Sequence, residues 1–343
     1  MGAKGSKTEK MQEVLGPEMD QNGTIAQALQ NVSDVQTFDV VQKFFMLEAL
    51  TGGVWEKKNV YFVTNKANEQ RLFEVREESK SCDRWCCAPY HSFTLTFHPY
   101  IDGKRIQGPP AYTIERQGCG CTCCPPHGCE KCFGCCACSD ICLQKYNLHK
   151  GHIVATDEMK VGMFPRDTLI GSMEMPQWGG LFTPTLEIKD AAGKVEGRIE
   201  GSCCWGGCSE LCFSFTYPIS SAAAEKKAGD IAIVTKQRPK SATGALKEMF
   251  TDSDIFSLDI KNADLLPSSA AMGNEGEKTL TMPEKKIKLL ATLLAVDFML
   301  FEFDQSMCGV TADGKAYCTL FLCYCCGSIW NCKCQQGDGG GGE

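Results

Sequence analysis

Residues 285–302 read KKIKLLATLLAVDFMLFE; beyond its basic start this run is apolar on every side and carries one carboxylate in its middle, Asp297. A helix with no polar face has to be enclosed by protein or by lipid. From Ile287 to Phe301 it spans roughly 22 Å at ~1.5 Å per residue, short of the ~30 Å hydrocarbon core of a bilayer. Asp297 adds a second constraint, because a carboxylate at mid-membrane costs ~2.5–3.5 kcal/mol on insertion scales. Both favour a buried core helix over a simple transmembrane one, with lipid as the alternative enclosure. In either case Ile287, Leu290, Leu294, Asp297, Phe298 and Phe301 are expected to meet the enclosing wall.

The preceding sequence offers a wall of protein. Short runs at 59–63 and 71–76 flank the polar turn NKANEQ and read as a hairpin, and SFTLTFH at 92–98 alternates with period two. Further strand candidates are 111–115, 168–174, 185–189, 194–200, 211–217, 230–236 and 256–260. Many short strands with turns between them predict an all-β barrel or sandwich. A closed barrel with the apolar helix inside satisfies both observations.

The remaining segments bound the domain. Residues 1–40 are polar, poor in aromatics and broken by Gly16-Pro17 and Gly23, and read as a flexible tether. VVQKFFMLEALTGG, starting at Val41, fits a short helix ending at Gly52-Gly53. The barrel domain is placed at 41–302, with a loose loop at 262–283. A Cys-rich and Gly-rich extension occupies 303–343, where further strands and an acylated, membrane-contacting segment are both open readings.

Composition narrows the function classes. The 343 residues carry a formal net charge of -7, against whole-surface attraction to nucleic acid, and no nucleic-acid partner is expected. The start, MGAKGSKTEK, has no apolar segment able to act as a secretory signal. The 24 cysteines are therefore expected in a reducing compartment, where metal binding or acylation is preferred over a disulfide framework. No Ser-His-Asp, P-loop or dinucleotide pattern stands out, and five histidines make no catalytic set, so a classical enzyme is not expected. The sequence leaves the oligomeric state open.

Five blocks stand in one order: LEALTG at 47–52, CDRWCCAPYHSFTLTF at 82–97, TIERQGCGCTCC at 113–124, GALKEMFTDSDIF at 244–256, and the run at 285–302. Together they resemble the phospholipid scramblase family. The resemblance implies a tubby-like fold, a closed antiparallel β-barrel of about twelve strands around a buried hydrophobic C-terminal helix. It also implies a protein on the cytoplasmic face of the plasma membrane or an endomembrane. There it would move phospholipids between leaflets in both directions, without ATP, when calcium rises. The alternative is a lipid-anchored adaptor of the same fold that binds anionic headgroups or proteins and translocates nothing. A metal-bound structural protein is a third reading.

Specific residues carry these expectations. Met1-Gly2-Ala3-Lys4-Gly5-Ser6 matches the myristoylation pattern, making Gly2 the acceptor. One myristoyl chain binds membranes only marginally, so a second anchor is needed. Ten cysteines between Cys119 and Cys142 offer one. By resemblance the palmitoylated positions are Cys119, Cys121, Cys123 and Cys124. Zinc is the rival, since Cys129, Cys132, Cys135 and Cys138 have ligand-like spacing with His127, His149 and His152 near. Cys203, Cys204, Cys208 and Cys212 admit both readings, and core packing in a strand is a further one for Cys212.

Residues 250–260, FTDSDIFSLDI, occupy the position of the family's calcium loop. Asp252 and Asp254 match its first acidic positions, and Phe256, Leu258 and Ile260 follow at alternate positions. Ala263 replaces the acidic twelfth residue and Ser257 the turn glycine, so any calcium affinity is expected to be low. The rival reading is an Asp252 or Asp254 cap on a helix end before a strand. The basic run Lys236, Arg238, Lys240 reads as a solvated turn.

Overall fold

The computed structural model of the chain describes residues 21–43, 58–79, 91–116, 143–153, 168–222, 230–239, 254–266, 280–301, 308–310 and 314–335. Helix α1 (Gln21–Ser33) leads into strand β1 (Thr37–Gln42), followed by β2 (Val60–Asn65), β3 (Gln70–Glu78), β4 (Phe93–Ile101) and the two-residue β5 (Lys104–Arg105). Then come β6 (Tyr112–Arg116), β7 (Lys145–Lys150), β8 (Leu169–Glu174), β9 (Thr185–Asp190) and β10 (Val195–Glu200). The short β11 (Cys204–Trp205) precedes β12 (Phe215–Ser221), β13 (Ala232–Lys236) and β14 (Ile255–Ile260). Helix α2 (Met282–Leu300) follows, and β15 (Cys308–Val310), β16 (Ala316–Cys325) and β17 (Ser328–Gln335) end the described chain.

The strands close on themselves. Their order is β3-β2-β1-β14-β13-β12-β10-β9-β8-β7-β6-β4, and β4 returns to β3 with Phe73 opposite Pro99 and Glu78 opposite Thr94. Twelve antiparallel strands thus form a barrel without free edges, the usual way to remove the pairing hazard of an open sheet. Alternation sets the interior: Tyr61 and Val63 on β2, Leu186 and Ile188 on β9, and Ala232 and Val234 on β13 point inward and are buried. Outside, charges pair across the pleat. Lys145 (β7) and Lys189 (β9) bracket Glu174 (β8) at 2.8 and 2.6 Å, and Arg198 (β10) meets Glu187 (β9) at 3.0 Å.

Helix α2 fills the barrel. Pro283 opens its first turn, and the Thr281 backbone N–H and hydroxyl both donate to the Glu284 carboxylate, at 2.9 and 2.7 Å, satisfying the helix entry. Its side chains meet strands on all sides: Asp297 meets Tyr61 of β2, Phe298 meets Phe93 of β4, Lys288 meets Glu196 of β10, and Phe301 meets Tyr217 of β12 and Phe256 of β14. The enclosing material is protein. Ile287, Leu290, Leu294, Asp297 and Phe298 are buried, and Phe301 is half-buried at the exit. Among the described residues no helix is long and apolar enough to cross a membrane.

Both mouths are covered. Lys286 at the start of α2 donates to the carbonyls of Ser33 and Val35, at 2.5 and 2.6 Å, which ties α1 over one mouth. At the other, the fully buried Trp205 donates its indole N–H to the Leu300 carbonyl at 3.3 Å, one of the orphan acceptors that end a helix. Trp205 belongs to a second, four-stranded sheet in which β16 pairs with β11, β15 and β17. The extension therefore folds as strands.

Four boundaries differ from the sequence reading. The tether reading of 1–40 gives way where residues 21–33 form α1 and residues 37–42 a barrel strand, because Phe38, Val40 and Gln42 alternate into the core. For the same reason Val41 and Gln42 are extended, not the start of a helix; residues 44–57 lie outside the described residues. β7 was not foreseen. The strand expected at 211–217 begins at Phe215, after a 3₁₀ turn (Gly207–Leu211), and Cys212 is exposed instead of packed in a strand.

Candidate functional site

Strand β14 carries most of the positions expected to bind calcium. It lies inside the sheet, with Phe256 opposite Val40 and Lys236, and Leu258 opposite Phe38 and Val234. Such a strand spends its carbonyls on two ladders, and the side chains of Phe256, Leu258 and Ile260 are buried apolar groups. Asp254 is buried too. Its carboxylate receives Lys236 Nζ at 2.9 Å, and Glu210 receives the same ammonium at 2.6 Å. Lys236 thus takes the place that a cation would occupy between two carboxylates. Asp252 lies outside the described residues.

Lys236 itself is a correction. The basic run at 236–240 read as a solvated turn, yet Lys236 is buried at the end of β13 with its ammonium 4.0 Å from the Phe301 ring centroid. Arg238 stays outside, where its backbone N–H donates to Ser214 Oγ and its guanidinium to the Cys212 carbonyl. Burial opposes the charge on Lys236, but Asp254 and Glu210 overcome it and hold the ammonium above the ordinary lysine range. Burial raises Glu210, Lys236 opposes that rise, and the charge of Asp254 adds to it.

The polar groups of α2 act as keys. Tyr61 Oη donates to Asp297 Oδ2 at 2.7 Å, giving the lone mid-helix carboxylate its protein partner. Lys288, wholly buried, meets Glu196 Oε2 at 2.6 Å. Gly171 makes room for it, since a Cβ there would stand 2.6 Å from Lys288 Nζ. Burial lowers the Lys288 pKa, and the Glu196 carboxylate opposes that loss. These contacts fix the rotation and depth of the helix, so α2 is a structural axle whose side chains from Glu284 to Leu300 are buried.

A different surface has the chemistry of membrane contact. The β8–β9 and β10–β12 connections leave the barrel at the same end, joined where Gly201 N–H donates to the Pro184 carbonyl at 2.9 Å. This is the end at which α2 exits against Trp205. Here Trp178, Leu181, Phe182 and Phe213 are exposed, the last two by 68% and 65%. Trp178 and Leu181 also have φ of 63° and 64°, costly for bulky side chains and tolerated only where surroundings enforce it. The second sheet does so: Tyr324 Oη donates to the Gly179 carbonyl at 2.7 Å and the Cys326 N–H to that of Leu181 at 2.6 Å. On that sheet Leu320, Phe321 and Trp330 are exposed as well. A shallow cleft beside Leu181 holds Arg198, but Glu187 and Glu200 outnumber it, so the cleft is not an anion site. The sequence signal that was missed is Trp178-Gly-Gly-Leu-Phe182, an apolar pair of flanks around a glycine turn.

The acylation positions, Gly2 and Cys119, Cys121, Cys123 and Cys124, lie outside the described residues, as do His127 and the remaining cysteines of 119–142. His149, offered as a zinc neighbour, is buried in β7 with Nδ1 3.1 Å from Thr168 Oγ1. Cys203 and Cys212 are exposed, and Cys204 and Cys208 half-buried.

With this geometry in place, comparison with known proteins is informative. The scramblase family model matches residues 19–303, from before α1 to just past α2. Among curated relatives, phospholipid scramblase 1 of Homo sapiens is 27% identical over 230 residues, which cover 67% of this chain and 57% of the relative. The chain thus spans less than two thirds of that relative's length. Phospholipid scramblase 2 of Bos taurus is 25% identical over 277 residues, covering 81% of this chain and 72% of the relative. No solved structure matches significantly. Of the second sheet, β15, β16 and β17 lie beyond the matched region and β11 lies within it.

Proposed function

The chain belongs to the scramblase family, and from that premise we propose that it is a membrane-associated phospholipid translocator, moving lipids passively and in both directions from the cytoplasmic face of the plasma membrane or an endomembrane. The observation that carries this reading is the extent of the family match, which takes in the whole barrel and its core helix. Myristoyl at Gly2 and palmitoyl at Cys119, Cys121, Cys123 and Cys124 would supply the two anchors that stable attachment needs. The exposed apolar end around Trp178 and Phe182 would then meet the bilayer, where aromatic rings favour the interface.

Calcium control is the finer part of the proposal. At Asp254 a calcium ion would have to displace Lys236 from a buried pair. A calcium requirement is therefore better sought at Asp252 than along β14.

The locked core helix favours a second reading. Its polar groups are satisfied within the barrel, which suits an adaptor that docks on lipid without passing it. Reconstitution separates the two. The purified chain is placed in vesicles containing a fluorescent phospholipid, and an impermeant quencher is added with and without calcium, beside Asp252→Ala. Quenching beyond the outer-leaflet share is expected, stimulated by calcium and blunted in the variant. Quenching confined to that share, with the protein bound, would leave the adaptor.

A further inference from the structure

We propose that Cys208, Cys308 and Cys318 form a thiolate site for zinc that clamps the second sheet onto the barrel. The three sulfurs of Cys208, Cys308 and Cys318 lie within 4.8 Å of one another. Each comes from a different element: the 3₁₀ turn Gly207–Leu211, β15 and β16. Register brings two of them together. Cys308 of β15 stands directly opposite Cys318 of β16. Directly opposed residues share a face of the sheet. Three thiolates at ~2.3 Å with water in the fourth position is a coordination zinc accepts, and soft sulfur ligands select such cations.

The competing chemistry is a disulfide, because the sulfurs of Cys208 and Cys318 are in bonding contact. Their Cα atoms are 7.3 Å apart, beyond the ~4.4–6.8 Å span of ordinary disulfides. A disulfide also leaves Cys308 without a role, although its sulfur is 3.2 Å from that of Cys318. A shared ion accounts for all three.

The backbone is shaped to bring them together. Gly206 and Gly207 have φ of 73° and 59°. A Cβ on Gly206 would stand 2.8 Å from Leu322, and one on Gly207 would stand 2.5 Å from the Thr319 carbonyl. Only glycine lets this turn lie flat against β16 and deliver Cys208 to Cys318. The shift of register between Thr319 and Phe321 contributes too. It places Cys323 on the same face as Cys318 despite their odd separation, while Thr319, Leu322 and Tyr324 face the barrel and are buried. A second line of sulfurs borders the site on that face, with Cys204 and Cys323 at 3.3 Å and Cys323 and Cys332 at 3.4 Å.

The site reaches the barrel's buried ion cluster in two residues. Cys208 and Glu210 share one turn, and Glu210 holds Lys236. Metal at Cys208 fixes that turn, and with it the cover over the exit of α2.

The test is zinc content of the full chain purified under reducing conditions, read as a difference because other cysteines can bind metal. Cys308→Ser and Cys318→Ser are each expected to lose one zinc per chain. Cys212→Ser, exposed and outside the set, is expected to match wild type. A measurement that needs no variant accompanies it: chelator should raise the alkylation rates of Cys208, Cys308 and Cys318 in the wild-type chain. Equal zinc in Cys308→Ser and wild type, alkylation indifferent to chelator, or a Cys208–Cys318 disulfide in the unreduced peptide map would each overturn the proposal.

Discussion

His98 on β4 is held neutral by its neighbours. Arg105 donates to Nδ1 at 2.9 Å, which requires that nitrogen to be bare, so the proton sits on Nε2, 3.2 Å from Thr96 Oγ1. Burial first, then the charges of Arg105 and Arg76, push its pKa down to about 4; Glu74 opposes them and His152 adds slightly. The folded-state value lies below the unfolded one, so the stabilisation is complete above about 6.5. It is lost as pH falls through about 4. Urea melts of the wild-type chain between those limits should lose on the order of 3 kcal/mol on this account, and His98→Gln should flatten that part of the profile. An unchanged slope in the variant would assign the acid sensitivity elsewhere. None of this was legible beforehand, since strand alternation shows that His98 is on a pleat but not that an arginine from the neighbouring hairpin arm faces it.

At the scale of the element, α2 was the most legible part of the chain because a helix without a polar face has few places to go. Its apolar side chains each contribute ~1.5–3 kcal/mol when fully buried, which offsets the cost of carrying Lys288 and Asp297 inside. The strands were legible where alternation contrasts with solvent, as on β9 and β13. β7, KYNLHK, hid because Asn147 and His149 are buried alongside Tyr146 and Leu148. β14 is legible only in part: acidic residues in a familiar position suggest an ion loop, but not that Asp254 meets Lys236, eighteen residues upstream. Pairings of that kind are set by the sheet and leave no local trace. The Lys288–Glu196 key is another. Lys288→Met removes the ammonium that faces the buried Glu196 carboxylate and should cost ~3–5 kcal/mol in denaturant unfolding. Adding Glu196→Leu should restore most of that loss, because two apolar groups of similar size replace a desolvated pair. If the double variant is no more stable than the single, the pair is needed for the helix's placement and not only for its own neutrality.

For the whole molecule the polar keys and the apolar rim divide the work. A barrel without edges, plugged by its own helix and covered at both mouths, gives a rigid body that can carry an exposed hydrophobic end without unfolding there. A net charge of -7 gives no general attraction to anionic lipid, so attachment through this end has to come from apolar contact. Trp178 and Phe182, held out on a loop with φ of 63° at the tryptophan, are the side chains best placed to supply it. Partition of the unacylated full chain onto vesicles of phosphatidylcholine with phosphatidylserine should therefore fall at least ~10-fold in the double variant Trp178→Ser, Phe182→Ser, since each ~1.4 kcal/mol of lost burial is a factor of ten. Raising the salt should leave wild-type binding nearly unchanged, as apolar contact is not screened. Retained binding in the double variant together with strong salt sensitivity would move the contact to a charged face of the barrel and leave the strained loop as a seat for the second sheet.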